Sequence, residues 1–399
     1  MLNSRRLDLY LYDTNVGEYD EYNPRYVRSR YGVAEILYLL ADNSPYSLAQ
    51  EDIENKLDID TKACKDALNS LLKINAVSVR ENKYKINFPA FIEKDFEVLG
   101  DFNIKIGKLL GDKVISLKDE IDENISKLSC YRSCDIKVLR YHTIGCSTFD
   151  EGAMDYFTDK GVITTSKLQP GGRDYLIIGY EESDKSFEYS LKLLCSCNIL
   201  YIGNIGFCSF GDADGDRKDM MSFFRSVQSN LEKTTEYEGL NMAYIKLNAY
   251  NNEVIAKKCG EMLLKILGER TCYNNLKEEE KNVVVFLKEL GYFDFKDEYS
   301  DIKCIVPVFN LDDKIIIDEI SDLITSNIYQ IVKETIETLD RSVQDLTSVK
   351  HMVESRDIAN ELWHFMFGAT NEYLVKSGFF AEPRYKNGEG RYLQCVYIE

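Results

Sequence analysis

The sequence lacks the patterns that would place the protein in a membrane or assign it a common catalytic chemistry. It has no run of about eighteen or more apolar residues, so no transmembrane helix is expected. It contains no P-loop, no Gly-x-Ser-x-Gly elbow and no His-Glu-x-x-His motif. The N-terminal apolar run is short and interrupted by acids, unlike a secretory signal. We therefore predict no membrane partner, and no enzyme class is indicated.

Histidine is also scarce. The chain has three histidines, His142, His351 and His364. Its eleven cysteines are an odd number and stand mostly in apolar contexts, as Cys195 and Cys197 do, which favours free thiols packed in a reducing compartment. Cys130 and Cys134 lie one helical turn apart, but zinc needs more ligands than this pair. The sequence therefore predicts a cytoplasmic protein with no metal site and no cofactor.

The net charge of −18 argues against a protein that coats nucleic acid through bulk charge. The acidity is uneven, however. Residues 1–94 hold 13 basic and 15 acidic side chains, a net of −2, which leaves −16 for the remainder of the chain. Because residues 1–94 are nearly neutral, this region could still present a local surface that binds DNA, although the rest of the chain is acidic.

Residues 31–88 carry the clearest structural signal. Apolar periodicity and capping residues predict three helices, over 32–41, 47–57 and 61–74. Asp60 can cap the third of them. Two alternating segments around the turn Glu81-Asn82 then predict a β-hairpin.

Three helices followed by a hairpin, in this order and at these lengths, resemble the winged helix-turn-helix superfamily of bacterial transcriptional regulators. The resemblance covers about the first ninety residues. In that superfamily the third helix enters the major groove and the wing touches the backbone, which implies double-stranded DNA as the partner. The implied contacts are Lys62, Lys65 and Asn69 in the helix, and Arg80, Lys83 and Lys85 in the wing. Arg25, Arg28 and Arg30 could add phosphate contacts. The alternative is that these are ordinary solvated charges on a winged helix used for protein contacts.

The second half of the sequence repeats features of the first in the same order. Helix end, strand, turn, strand and Pro-x-Phe occur over 72–91 and again over 287–309, and a long amphipathic stretch follows each. The later matches pair Tyr141 with Trp363, His142 with His364 and Arg173 with Arg391. These matches predict an internal duplication, with chance matching among common residues as the alternative.

The predicted fold is therefore α+β and mainly helical. It has two winged-helix units, each followed by long helices and a short β-hairpin, in a pseudo-two-fold internal repeat. The predicted segments are 1–92 and 93–185 for the first copy, 186–237 for an inter-repeat segment, and 238–310 and 311–399 for the second copy. The second winged helix is expected to be degenerate, because Glu278, Glu279 and Glu280 open its third helix and would repel phosphate. The Asp-rich run 211–219 fails the EF-hand spacing and is expected to cap the next helix.

The repeated aromatic, histidine and arginine residues are candidates for a pocket that binds a small anionic or aromatic ligand. They are Tyr141, His142, Arg173, Trp363, His364 and Arg391. The structural alternative is that the aromatics fill each core, each histidine satisfies a buried carbonyl and each arginine pairs with a local acid.

The leading functional interpretation is a DNA-binding transcriptional regulator whose helical region senses a small-molecule or peptide ligand or holds a homodimer interface. Two other hypotheses stay open. One is a winged-helix protein that recognises peptides in ribosomal-peptide modification. The other is an enzyme with a Rossmann-like centre formed by the strand–helix–strand pattern over 175–203, although Gly-x-Gly-x-x-Gly is absent.

Overall fold

A computed structural model of the chain describes residues 5–213, 217–232, 238–386 and 388–399. Within these ranges the fold is α+β and mainly helical, with small sheets. The helices are α1 (Pro24–Arg28), α2 (Val33–Asp42), α3 (Gln50–Leu57), α4 (Thr61–Lys73), α5 (Glu93–Ser116), α6 (Lys118–Ile125), α7 (Ile136–Arg140), α8 (Ala153–Asp159), α9 (Asp184–Leu191), α10 (Met220–Glu232), α11 (Glu238–Gly268), α12 (Glu278–Glu289), α13 (Leu311–Glu337), α14 (Leu339–Ser342), α15 (Thr347–Lys350) and α16 (Ser355–Lys376). A π-helix, Tyr141–Gly152, joins α7 to α8.

The strands are β1 (Leu7–Asn15), β2 (Leu48–Ala49), β3 (Val77–Arg80), β4 (Lys83–Ile86), β5 (Ala90–Phe91), β6 (Leu168–Gln169), β7 (Arg173–Glu181), β8 (Leu194–Ile202), β9 (Ile205–Asp212), β10 (Phe293–Asp294), β11 (Lys303–Cys304), β12 (Val308–Phe309), β13 (Tyr385–Lys386) and β14 (Gly390–Ile398). No helix in the described ranges is long and apolar enough to cross a membrane.

The chain folds into two compact units, each built from three separate stretches. Unit 1 comprises Met1–Val114, Glu151–Leu191 and Thr325–Thr370, and unit 2 comprises Ile115–Asp150, Lys192–Ile324 and Asn371–Glu399. Each unit therefore contains residues from both halves of the sequence.

In unit 1, α2, α3 and α4 pack against the three-stranded sheet β2-β4-β3. The carboxylate of Asp60 accepts hydrogen bonds from the backbone N–H groups of Lys62 and Ala63 at 3.0 Å, which fixes the start of α4. The second helix begins at Gln50 rather than at Ser47 as predicted, because the preceding Leu48–Ala49 forms strand β2 beside β4.

The second sheet of unit 1 has the order β1-β7-β5, with β6 also paired to β7. Its short strand β5 runs parallel to β7 and places Phe91 opposite Tyr180. Their rings stack with centroids 5.5 Å apart. Beside them, the backbone N–H of Gly179 donates to the carbonyl of Pro89 at 2.8 Å. The Pro-x-Phe segment is therefore anchored to β7 by both backbone and side chain.

The large sheet of unit 2 has the order β12-β14-β9-β8, with β13 paired to β14. Strand β12 runs parallel to β14 and places Phe309 opposite Tyr397. Their rings stack at 5.5 Å, and the backbone N–H of Val396 donates to the carbonyl of Pro307 at 2.9 Å. Strand β9 lies antiparallel to β14, as β1 lies antiparallel to β7 in unit 1.

An aspartate near the start of a long helix makes similar bonds in each unit. In unit 1 the carboxylate of Asp95 accepts from the backbone N–H of Thr347 at 2.8 Å. In unit 2 the carboxylate of Asp313 accepts from the backbone N–H of Ser129 at 2.7 Å. In both units the donor comes from the opposite half of the sequence, 252 residues away for Asp95 and 184 for Asp313.

Two sequence predictions about the centre of the chain have clear outcomes. The Rossmann-like unit is not formed, because β7 and β8 belong to different sheets and β8 pairs antiparallel with β9. In the Asp-rich run, residues 214–216 lie outside the described residues. Asp219 accepts from the backbone N–H of Ser222 at 2.7 Å and so caps α10, as expected.

Candidate functional site

The N-terminal part of unit 1 displays an exposed cationic surface. Lys62, Lys65 and Asn69 follow one another at helical spacing along the solvent side of α4. Arg80 and Lys83 flank the β3–β4 turn and are also exposed. We call these five residues the basic face. In the described part of the chain, no carboxylate lies within ion-pair distance of its four cations.

The other predicted DNA contacts differ from the basic face. The Nζ of Lys85 donates to the backbone carbonyl of His351 at 2.7 Å, and burial lowers the pKa of this lysine. Lys85 is therefore engaged within unit 1 and is not counted in the basic face. Arg28 donates to the carbonyl of Leu9 at 2.8 Å. Arg25 is exposed, and Arg30 is half-buried with its guanidinium 6.0 Å from the ring of Tyr26.

The two arginines predicted to bind a ligand are engaged by carboxylates. Arg173 lies in unit 1 and pairs with Asp20 at 2.6 Å. Arg391 lies in unit 2 and pairs with Asp212 at 2.8 Å and with Glu372 at 2.5 Å. Each guanidinium neutralises local acids, which is the structural role given above as the alternative.

The predicted aromatic residues fill the cores. The hydroxyl of buried Tyr141 donates to the carbonyl of Phe210 at 2.8 Å in unit 2. Trp363 is buried in unit 1, 5.0 Å from the ring of Phe157. His364 places its Nδ1 3.0 Å from the carbonyl oxygen of Asn360. These three residues also have the surroundings expected of structural side chains.

His142 is the exception among the predicted ligand residues. Its ring is fully buried in unit 2, yet neither ring nitrogen has a hydrogen-bond partner among the described residues at ordinary distances and angles. Buried polar groups are nearly always satisfied, so an orphaned imidazole calls for a specific explanation. It lies on the π-helix, an uncommon element that occurs often at functional sites.

Four cysteines gather close to His142, and we call them the thiol cluster. Cys146 lies on the π-helix, Cys197 on β8, Cys208 on β9 and Cys395 on β14. The Sγ atoms of Cys146 and Cys197 are 3.5 Å apart, those of Cys197 and Cys208 are 3.5 Å apart, and those of Cys146 and Cys208 are 3.9 Å apart. These separations far exceed a disulfide of about 2.05 Å, so the thiols are free.

Strand register brings these cysteines together. Cys395 is directly opposite Cys208 in the β9–β14 pair. Cys197 pairs with Phe210, and Cys208 pairs with Ile199, so the two cysteines are diagonal neighbours on one face of the β8–β9 hairpin. The π-helix supplies Cys146, four residues after His142.

The four cysteines of the thiol cluster differ in pKa. Hydrogen bonds from Cys146 and Cys208 lower the pKa of Cys197 well below the ordinary thiol value, despite burial. Burial raises the pKa of Cys395, but a hydrogen bond with Cys208 and the nearby imidazole of His142 outweigh it and bring the pKa to about 6. The same hydrogen bonds raise the pKa values of Cys146 and Cys208. Within the cluster, deprotonation is therefore favoured at Cys197 and Cys395 over Cys146 and Cys208, and the thiolate is the form that binds metals and acts as a nucleophile.

Comparison of the chain with protein-family models, with curated protein sequences and with solved structures finds no match. The function must therefore be inferred from the residues of the chain and their arrangement.

Sequence reasoning missed the thiol cluster and treated Cys197 as ordinary core. The cluster has no short Cys-x-x-Cys spacing, since Cys146 and Cys197 are 51 residues apart. One local signal was present: the turn Gly203-Asn204 predicts a hairpin that places Cys197 and Cys208 on adjacent strands. Nothing local links them to Cys146 or Cys395, whose positions depend on tertiary packing.

Proposed function

We propose that the protein is a DNA-binding transcriptional regulator that contacts double-stranded DNA through the basic face of unit 1. The observation that supports this proposal is the arrangement of Lys62 and Lys65 along α4, next to Arg80 and Lys83 of the β-hairpin, without described acidic partners. Lysine and arginine on a helix and an adjoining hairpin can neutralise phosphates on both sides of a groove.

The proposal rests on a winged-helix interpretation of residues 33–86. Three helices packed on the small sheet β2-β4-β3, with the last helix leading directly into the hairpin, correspond to the element order of that superfamily. The exposed stripe of α4 is then the recognition surface, with Asn69 available to base edges and the lysines to phosphates or guanine.

We further propose that the two halves of the sequence are copies of one ancestral unit. The Phe91–Tyr180 and Phe309–Tyr397 pairs have the same strand direction, register partner and ring separation. The left-handed residue after the third helix is Asn75 in the first half and Gly291 in the second. Such agreement at separate points supports duplication followed by divergence.

The second copy is not proposed to read DNA. Its helix α12 begins with Glu278, Glu279 and Glu280, which suit a helix N-terminus but repel phosphate. The carboxylate of Glu280 also accepts a hydrogen bond from the backbone N–H of Lys277 at 2.9 Å and forms an ion pair with Lys265 at 2.8 Å. This end of α12 is therefore organised for packing within unit 2.

The test begins with selection of bound duplexes from a random-sequence DNA library by the full chain. Fluorescence anisotropy then measures binding of the enriched duplex to the wild type and to the double variant Lys62→Glu, Lys65→Glu. We expect at least a tenfold loss of affinity, because a lost base contact costs about 1–3 kcal/mol and a glutamate at either position would also repel phosphate. The slope of log K against log salt should shrink by about 2.

A matched control changes the charge equally at a distant site. Lys105→Glu with Lys257→Glu alters exposed lysines of α5 and α11, outside the basic face. This control should bind like the wild type. Equal losses in both double variants, or a library that shows no enrichment, would contradict the DNA-binding proposal.

A further inference from the structure

The spacing of three sulfur atoms in the thiol cluster matches the edge of a metal–thiolate tetrahedron. With a zinc–sulfur bond of about 2.3 Å, two sulfurs of a tetrahedral site stand about 3.8 Å apart. The three Sγ separations among Cys146, Cys197 and Cys208 are 3.5, 3.5 and 3.9 Å. These three side chains can therefore bind one ion without a backbone change.

Cys395 is the candidate for a fourth ligand. Among the described residues, only the Sγ atoms of Cys146, Cys197 and Cys208 all lie within 4.8 Å of one another, so the side chain of Cys395 must turn toward them to complete the site. It is fully buried and lies directly opposite Cys208, where Cβ atoms of paired residues are about 4.5–5.5 Å apart. That spacing lets the sulfurs of both residues approach one ion. A cluster of several irons would need its cysteine sulfurs spread over different metal atoms, so the compact arrangement favours a single ion.

The surroundings of the cluster also suit a metal–thiolate centre. Four deprotonated thiols around a divalent ion carry a net negative charge, which is costly to bury unless it is compensated. The guanidinium of buried Arg217 donates to the carbonyl of Ser209, the residue after Cys208 on β9, at 3.2 Å, and the buried imidazole of His142 lies four residues before Cys146 on the π-helix. A bound thiolate would also supply the acceptor that the N–H of His142 lacks among the described residues.

From this geometry we propose that unit 2 holds a buried site for a single thiophilic metal ion of the zinc class, with Cys146, Cys197 and Cys208 as ligands already in place and Cys395 as the fourth ligand once its side chain turns toward them. His142 is a positioning residue that donates a hydrogen bond to the bound sulfur of Cys395. Binding replaces the remaining thiol protons, which pass to solvent. The site goes beyond the proposed DNA contact and lies outside the basic face.

The first experiment measures zinc in the full chain, purified under reducing conditions from zinc-supplemented cells. The wild type should contain one zinc ion per chain by elemental mass spectrometry, and Cys208→Ser should lose it. Cys259→Ser is the matched control, because Cys259 is a buried thiol of α11 in the same unit but outside the cluster. Wild-type protein without zinc, or equal zinc in wild type and Cys208→Ser, would overturn the proposal.

Substitution by cobalt tests the ligand type. Cobalt added to the metal-free wild type should produce thiolate-to-cobalt charge-transfer absorption in the near ultraviolet and the visible bands of a tetrahedral ion. Cys395→Ser should weaken the charge-transfer absorption, and Cys259→Ser should leave it unchanged. A cobalt spectrum without charge-transfer absorption, or one insensitive to Cys395→Ser, would contradict the assigned ligands.

A third measurement uses only the wild-type chain, so it does not depend on variants that fold. Alkylation followed by peptide mass spectrometry compares each cysteine before and after zinc is removed by a chelator. The cluster cysteines should become reactive together, whereas Cys259 should not change. A disulfide between two cluster cysteines in protein that never contained metal would overturn the proposal in favour of a redox pair.

The role of His142 is tested by zinc competition against a chromophoric chelator. His142→Leu should weaken zinc affinity by about 10–100-fold, the usual effect of removing a partner that hydrogen-bonds a metal ligand. His142→Gln, which retains an N–H donor, should recover part of that loss. Equal affinities for both variants would contradict the hydrogen-bond role. The outcome is independent of DNA binding, since Lys62→Glu with Lys65→Glu should leave the zinc content unaltered.

Discussion

The sheets of the two units pair their strands in the same way but carry different side chains at equivalent positions, exposed Tyr10 in unit 1 and buried Cys208 in unit 2. In unit 1 the pair two residues before Tyr180 in β7 is Ile178 opposite Tyr10. In unit 2 the pair two residues before Tyr397 in β14 is Cys395 opposite Cys208. The comparison teaches that the same strand pairing can align chemically different side chains, an isoleucine with a tyrosine in unit 1 and two cysteines in unit 2.

The hydrogen bonding around the central tyrosines differs in the same way. In unit 1 the hydroxyls of Tyr12 and Tyr180 both donate to the carboxylate of Glu361. In unit 2 the hydroxyl of Tyr397 shares a hydrogen bond with the hydroxyl of Ser147 at 3.0 Å. The tyrosines of unit 1 are thus joined through a half-buried carboxylate, whereas the tyrosine of unit 2 is joined to a serine hydroxyl.

The largest effect is expected from removing the buried phenylalanine that stacks on a tyrosine in each sheet. It tests whether the two Pro-x-Phe segments stabilise their sheets equally. Phe91→Ala and Phe309→Ala each remove a buried ring stacked on a tyrosine, and each should cost about 3–5 kcal/mol in the free energy of unfolding. Urea denaturation gives the cost, and hydrogen exchange shows which unit opens. A large cost for one variant and none for the other would break the correspondence.

Metal removal should distinguish the units next most strongly. Zinc at one hundred times its dissociation constant would stabilise the fold that binds it by about 2.7 kcal/mol. A chelator should therefore accelerate hydrogen exchange in unit 2, with Cys208→Ser insensitive to it and Cys259→Ser as sensitive as the wild type. Equal acceleration in unit 1 would contradict a site confined to unit 2.

Lowering the pH should destabilise unit 1, because the buried His351 resists protonation in the folded state. Burial disfavours the imidazolium and lowers the pKa of His351 to about 4, so the unfolded chain takes up this proton at a higher pH than the folded chain. The stability contribution is complete above about pH 6.5 and is lost as the pH falls toward 4. Between pH 6.5 and 5 the loss should be about 2 kcal/mol.

The measurement is urea unfolding of the wild type and of His351→Gln at pH 7 and pH 5. Glutamine retains a donor for the carbonyl of Asn43, which lies 3.1 Å from the Nε2 of His351, but it does not titrate. The variant should lose less stability on acidification. Identical pH dependence in both proteins would show that His351 does not contribute.

The smallest expected effect concerns the left-handed residue after the third helix of each half. Asn75 has a φ of 55° and Gly291 a φ of 86°. Gly291→Ala should cost about 1–2 kcal/mol, because a Cβ is unfavourable in that region. It would also approach the side-chain oxygen of Gln394 at 2.9 Å. Asn75→Gly should change the unfolding free energy by less than 0.5 kcal/mol, and a larger cost would show that the Asn75 side chain is needed.

The locally encoded parts of the fold could be predicted from the sequence. Asp60 and the apolar spacing of α4 determine that helix, and the alternation around Glu81-Asn82 determines the hairpin β3–β4. The start of α3 was misplaced because Leu48 pairs with Tyr84, a contact with a strand formed later in the chain. Such pairings depend on tertiary structure and leave no periodic signal.

The candidate sites follow the same division. The basic face could be predicted, because helical spacing alone places Lys62, Lys65 and Asn69 on one side of α4. The hydrogen bond of Lys85 could not be predicted, because its partner, the carbonyl of His351, is 266 residues away. The thiol cluster could not be predicted, because Cys146 reaches it through a π-helix that no local sequence pattern indicates.

Unit 1 can be completed only late in translation, because it is built from three stretches that are far apart in the sequence. Its first stretch ends at Val114, but its last stretch ends at Thr370, including Thr347, which binds the buried carboxylate of Asp95. At translation rates of about 5–20 residues per second, the ribosome needs on the order of tens of seconds to bridge that interval. The first residues of unit 1 therefore emerge early, but the unit can be completed only after its last stretch has been synthesised.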